Sequence, residues 1–427
     1  MRNGSRSLAL LASTAVVLSA QPAAAQEDNV ELSYRNWFHG GSMEAVWNDY
    51  IASFKELHPE VSEIIVQTIP FPRYNDVLTV EAAAGQLPDV AWINASVGPQ
   101  WVKGGRLVDL MPLIPEGYDL DEFGAALDPW MQDGALYALP FTNAGNLVYF
   151  NEDVFAEAGI PTPIDLLEQG EWTWANLVDT ARQLTEAGVA DYGFHLNNNI
   201  FTNGWRNLIE IWNAYGGGPW TEDGTECTFD SPETKEATQI IWDMIYTDGS
   251  HPGPAEAADF AAGNIGMMLG RQNVAPRLAE VPFGWDVVPP PSGPAGFVPS
   301  LAQNGVVAFT DSDHPDLAGG FVVHAMNQEN AAKFGVNTPA VRRSLQTIDI
   351  LEENNPQYTR EQLERAVIPV LQAEDFRMEY FHENYTPAER AAQLVFDGQI
   401  WNPDADVPAA LDQICADIGV FMTGALE

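Results

Sequence analysis

Between Val30 and Asn94 the chain alternates strand patterns with helical ones, and this constrains its fold more than any other feature. Residues 30–38 (Val-Glu-Leu-Ser-Tyr-Arg-Asn-Trp-Phe) read as a strand. A turn at His39–Ser42 follows, with Ser42 as a helix N-cap. Met43, Val46, Trp47, Tyr50, Ile51 and Phe54 then recur at helical spacing until His58-Pro59. Ser62–Ile69 is a second strand, Tyr74–Ala84 a second helix, and Leu87–Ile93 a third strand ending at Asn94. Strands separated by helices imply a parallel sheet with helices on both faces, an α/β fold.

The rest of the chain is less regular. A turn and short strand span Asp133–Phe141, and another strand spans Leu147–Phe150. Helices begin at Glu152, after the N-cap Thr173, and at Ser231-Pro232 with proline in the first helical position. Pro289–Pro294 reads as a stiff linker-like segment. A strand covers Val306–Phe309, a helix Asp316–Met326, and the region after Tyr358 is almost wholly helical. At about 150 residues per domain, 427 residues suggest two to three domains.

Charge and composition exclude several function classes. With 19 basic and 60 acidic residues the net charge is −41, which repels nucleic-acid backbones and anionic membrane surfaces. Met1–Ala25 has the form of a secretory leader. Arg2 and Arg6 precede an apolar stretch from Leu8 to Leu18, and Ala23-Ala24-Ala25 offers a cleavage site. Cleavage removes two arginines and no acid, so the mature charge becomes −43. No later segment has the uninterrupted apolar length of a membrane span. Cys227 and Cys415 leave both a disulfide and two buried thiols open.

Catalytic motifs are missing. There is no Gly-x-Ser-x-Gly, no Walker loop and no dinucleotide fingerprint, and His382-Glu383 lacks the second histidine of a zincin helix. Asp311, Asp313 and Asp316 lack calcium-loop spacing. The chain is therefore expected to be no enzyme and to need no metal or cofactor. What remains is a polar and aromatic set at strand ends, where open α/β sheets bind ligands. It comprises Trp37 to His39, Asn94 and Ser96, Asn143 and Asn146, Asn197 to Asn199, and Trp205 with Arg206. Amides that both donate and accept, beside aromatic plates, suit the hydroxyls and C–H faces of a sugar. Trp47, Trp174 and Trp242 are expected in the core.

Four segments in order carry a resemblance. They are Ala83–Val90, Asp133–Pro140 continuing through Tyr149–Pro161, Phe260–Met268, and Asn337–Arg342. Together they resemble the extracellular solute-binding proteins of ABC importers, of the sugar-binding type related to maltose-binding protein. The resemblance implies a periplasmic binding protein fold, with two α/β domains around a hinged ligand cleft. The first domain would comprise residues 26–141 plus 297–336, the second 143–288 plus 337–427, with crossings near 141–146, 289–297 and 336–343. It implies a periplasmic, monomeric carrier that takes a carbohydrate or polyol to membrane permease subunits. The expected ligand set is Trp37, His39, Asn94, Asn143, Asn199, Trp205, Arg206, Arg271, Asn273, Asn304 and Arg342. Arg271-Gln272-Asn273 stands where relatives often place tryptophan. Arg206, Arg271 and Arg342 leave an anionic sugar derivative open as cargo, and a secreted carbohydrate-active enzyme is the alternative class.

Overall fold

The computed structural model describes residues 1, 29–37, 41–196, 200–201, 204–221, 223–335, 338–378 and 382–422. The expected leader, His39 and Asn199 lie outside the described residues.

The first part is built as the periodicity requires. Strand β1 (Val30–Asn36) buries alternate residues Val30, Leu32, Tyr34 and Asn36. It pairs in parallel with β2 (Val61–Thr68) and β3 (Val90–Asn94). Helix Gly41–Leu57 lays Met43, Val46, Trp47, Tyr50 and Phe54 on this sheet. All five residues of β3 are buried, because helices cover both faces. Helix Phe71–Ala84 stops at Gly85, whose φ of 65° is the left-handed conformation that frees the Gln86 amide to reach back to Glu81. That requirement explains the glycine in the Ala-Gly-Gln-Leu-Pro-Asp segment.

A hairpin of β4 (Met131–Gln132) and β5 (Ala135–Leu136) turns through Asp133-Gly134, both with positive φ, and leads into β6 (Leu139–Asn151). Here the structure departs from the sequence expectation of two short strands. β6 is one strand of 13 residues. The other strands are β7 (Tyr192–Leu196), β8 (Ile265–Arg271), β9 (Trp285–Val288), β10 (Ser300–Ala308) and β11 (Arg377–Met378). The sheet order is β2-β1-β3-β10-β6-β8-β7, with β11 on β10 and β9 on β6. β10 runs antiparallel to both β3 and β6, and β8 and β9 antiparallel to β6, so the sheet is mixed instead of parallel throughout. The front of β6 pairs β10 and its back pairs β8 and β9, so this strand carries one half-sheet into the other.

The proline segment is no free linker. Pro289, Pro290 and Pro291 are buried, Trp172 Nε1 donates to the Pro289 carbonyl (2.8 Å), and Trp174 N donates to Ser292 O (2.9 Å). Cys227 and Cys415 form a disulfide with Cα atoms 5.5 Å apart across 188 positions. It ties helix Val407–Met422 to the loop beside helix Pro232–Tyr246. The Cys227→Ser/Cys415→Ser double variant is expected to lose about 2–4 kcal/mol in denaturant titration. An unchanged midpoint would show that packing alone holds that helix.

A histidine pair lies beneath β7. His251 is buried, its Nε2 accepts from Leu196 N (3.0 Å), and its Nδ1–H meets the Pro252 carbonyl (2.7 Å), which fixes a neutral ring. Burial lowers its pKa to about 3 and that of His195, 5.6 Å away between ring centres, to about 4. Both folded values lie below the unfolded value near 6.5, so the unfolded chain binds more protons as pH falls through that window. Melting temperature is therefore expected to fall from pH 6.5 to pH 5, above the carboxylate range. His251→Gln should flatten that fall, and a slope identical to the parent's would remove the pair as its cause.

Candidate functional site

The sheet order brings two sets of strand ends face to face. β3 ends at Asn94, which lies opposite Asn304 on β10, and Asn304 in turn lies opposite Thr142 on β6. β8 runs the other way and ends at Arg271, opposite Asn146 on β6. Along β6 these two levels are four residues apart, about 13 Å at strand rise. Ligands in open α/β sheets sit beyond the carboxyl ends of strands. Here two such sets of ends meet over one stretch of β6 and β10, residues 142–146 and 300–304, which is the floor of the candidate crevice.

One face of that floor is polar at both ends and small in the middle. At the first end Asn94 Oδ1 accepts from the Ser96 amide (3.1 Å) and hydroxyl. Asn94 Nδ2 donates to Asn304 Oδ1 (3.1 Å), and Asn304 Nδ2 donates to Thr142 Oγ1 (3.1 Å). Ala144 and Ala302 follow, opposite each other. At the second end Glu210, on helix Ile209–Tyr215, is only 2% exposed. Its Oε2 accepts from Asn146 Nδ2 (2.8 Å), Ser300 Oγ (2.7 Å) and Ser300 N (3.2 Å). Burial raises the Glu210 pKa, while these donors and the Arg271 charge pull it down. Arg271 Nη1 donates to the Ala144 carbonyl (2.6 Å), so its guanidinium lies along the floor. On the opposite face of the same strands, Asn143 Oδ1 and Gln303 Oε1 are buried without a hydrogen-bond partner among the described residues. Asn143 N donates to Pro339 O (3.0 Å), which brings the third expected crossing against β6.

The structure thus brings three residues of the expected set, Asn94, Asn304 and Arg271, to this face of the floor, and Asn143 to the face behind it. Trp37 stands at the end of β1, half-buried, its ring edge-on to Phe71, Tyr74 and Trp92 with centroids 4.9–5.6 Å away. Phe71 beside it is 46% exposed and offers the freer aromatic surface. Asn273 is exposed on the turn after β8.

Two expectations need correction. Trp205 is fully buried, its ring stacked on Trp212 (5.8 Å) and edged by Trp220 and Phe229, so no face is open to a sugar. Arg206 beside it is partly exposed and pairs with Glu389 at 3.1 Å. Arg342 is 3% exposed and faces no crevice. Its guanidinium is sandwiched between the rings of Tyr118 (4.7 Å) and Phe123 (4.5 Å) and donates to the carbonyls of Met326 and Asp119. Arg342 is a staple between distant loops. Sequence reasoning missed Thr142, Ser300, Gln303, Phe71 and Glu210. For Glu210 a signal existed, a single carboxylate inside the apolar helical run Ile209-Glu210-Ile211-Trp212.

With this geometry in place, comparison with known proteins is informative. The family model of the bacterial extracellular solute-binding protein matches residues 40–332, more than half of the chain. The chain belongs to this family. Among its relatives, the arabinooligosaccharide-binding protein of Halalkalibacterium halodurans is 24% identical over 315 residues, 69% of this chain and 67% of that protein. The Listeria monocytogenes substrate-binding protein Lmo0181, solved with cycloalternan, superposes with a TM-score of 0.77 at 24% identity, covering 92% of this chain and 99% of the other. Maltose-bound MalE3 of T. maritima gives a TM-score of 0.74 at 19% identity, over 91% and 98% of the two chains. The solute-binding protein accordingly has the two-domain periplasmic binding protein fold. No helix among the described residues is long and apolar enough to cross a membrane. Among those residues no cluster of three or more histidine, cysteine or carboxylate side chains could hold a metal ion.

Two substitutions test these placements. Trp205→Ala is expected to cost about 3–5 kcal/mol of stability by opening the aromatic core. Arg342→Lys loses the fork that reaches two carbonyls, and should cost about 1–3 kcal/mol in chemical denaturation while leaving ligand affinity unchanged. A Trp205→Ala protein that melts like the parent but no longer binds would restore the tryptophan to the site.

Proposed function

We propose that this solute-binding protein captures a carbohydrate or polyol in the crevice between its two half-sheets and delivers it to the permease subunits of an ABC importer. The observation that carries this reading is the crevice floor. It offers oriented amides and hydroxyls from Asn94, Asn304, Thr142, Asn146 and Ser300, with aromatic surface from Trp37 and Phe71 near the end of β1. Hydroxyl-rich ligands donate and accept at once, and their C–H faces stack on rings. The named cargoes of its relatives, arabinooligosaccharide, cycloalternan and maltose, support the same class. No bond is made or broken in this role. An anionic sugar derivative is the second reading, because Arg271 lies along the floor.

The first domain is taken as residues 26–141 plus 297–336 and the second as 143–288 plus 337–427, hinged at the crossings. Support comes from β6, which changes partners between Gly145 and Asn146. The leader is cleaved after Ala25, and the mature monomer works in the periplasm.

Thermal shift with arabinotriose, maltotriose, D-mannitol and D-tagatose tests the reading. A ligand at 100 times its Kd should add about 2.7 kcal/mol to stability. Solution scattering of the mature chain should show a smaller radius of gyration with that ligand bound. A stabilising ligand without compaction would argue against hinge closure. Stabilisation only by phosphorylated or carboxylated sugars would favour the anionic reading.

A further inference from the structure

Glu210 has no place in the resemblance, yet among the described residues it is the one carboxylate buried at this floor. Its surroundings fix hydrogen-bond polarity. Ser300 O–H and Ser300 N both donate to Oε2, and Asn146 Nδ2 donates to the same oxygen at 2.8 Å. The second amide hydrogen of Asn146 meets Ser300 Oγ at 3.3 Å. A carboxylate accepts only, and the serine proton is already spent on it. The Asn146 carboxamide can therefore sit only with nitrogen toward Glu210 and oxygen on the far side. Asn146 is half-exposed, and no described residue donates to its Oδ1. Arg271, opposite Asn146 in the strand register, carries donors and no acceptor, and one of them goes to the Ala144 carbonyl.

We propose that Glu210 is a positioning residue that locks the Asn146 carboxamide with its oxygen toward the crevice, so the ligand must present a hydrogen-bond donor there. The proposal rests on the crevice being the solute site. A sugar hydroxyl meets the demand by donating to Asn146 Oδ1. A carboxylate or phosphate oxygen at the same point faces an acceptor, with the Glu210 charge behind it. Arg271 therefore does not make the floor an anion site. Glu210 selects neutral polyhydroxy ligands over their oxidised or phosphorylated counterparts. Burying a carboxylate is costly, and three donors from Asn146 and Ser300 compensate Glu210 here.

The test uses the full mature chain and two readouts. In ¹⁵N spectra the Asn146 side-chain amide, assigned by its loss in Asn146→Ser, should show two slowly exchanging protons. Glu210→Gln should abolish that signature, because glutamine accepts either orientation of its neighbour. Calorimetry then compares D-mannitol with mannitol 1-phosphate and maltotriose with maltotrionic acid. Glu210→Gln is expected to weaken the neutral member about tenfold and to lower the neutral-to-anionic affinity ratio at least fivefold. Asn146→Ser should weaken the neutral member similarly at an unchanged melting temperature. If Glu210→Gln does not fold, Ser300→Ala removes one partner of the amide and should shift the ratio the same way by a smaller factor.

An unchanged affinity ratio, or a wild-type amide signature in the variant, overturns the lock while leaving the crevice as the solute site. Wild-type protein that binds none of the four probes, or only the anionic ones, overturns the neutral-ligand reading and the donor requirement with it. The amide signature then still decides whether Glu210 orients Asn146.

Discussion

The way the two half-sheets of this molecule meet depends on one strand being continuous. β6 pairs β10 through its first half and β8 with β9 through its second, so its middle has ladder partners on one side only. Main-chain groups left open there need other partners, because unpaired buried amides and carbonyls are costly. Two of the crevice's defining contacts meet that need. The Asn143 amide is taken by the Pro339 carbonyl, and the Ala144 carbonyl by the Arg271 guanidinium. The gap in the ladder thus draws the third crossing and the end of β8 onto the same few residues. The site is where the sheet changes partners.

Local patterns made much of the fold legible. Thr173, Ser231 and Asn151 each cap the helix that follows, and their side chains accept from backbone amides two or three residues on. The alternation in β1 and the apolar face of its following helix were equally readable. The Thr142–Asn146 stretch was not. Asn and Gly are turn residues by local preference, so the pattern there reads as an interruption between two short strands. Their strand conformation is imposed by β10, whose sequence lies more than 150 positions away.

Site residues failed for the same reason wherever their partners are distant. Trp205 lies in a segment rich in Asn and Gly, and nothing nearby shows that Trp220 and Phe229 will enclose it. Arg342 follows a proline at an expected crossing, and its aromatic partners Tyr118 and Phe123 are invisible to any local window. The same turn is pinned twice more. Ser344 N donates to Glu122 (2.8 Å), and Arg343 packs against Gly124, whose φ of 52° and ψ of −140° suit only glycine. Three consecutive residues, 342–344, hold the segment after the crossing to the loop at 118–124. In place of the expected ligand contact, Arg342 anchors this segment to the loop at 118–124.

The two hydrogen-bonded ends of the floor have opposite sense. The first begins at the Ser96 amide and passes through Asn94 and Asn304, so that Thr142 Oγ1 accepts. No acceptor among the described residues meets the Thr142 hydroxyl proton, and that end presents a donor. The second is set by Glu210, so Asn146 presents an acceptor. Between them lie only Ala144 and Ala302, too small to fill the space. The floor therefore presents a donor near one half-sheet and an acceptor near the other. Both are held by side chains whose own hydrogen bonds are already assigned. The two ends thus differ in polarity along the strand direction, and neither polarity depends on the net charge of the chain.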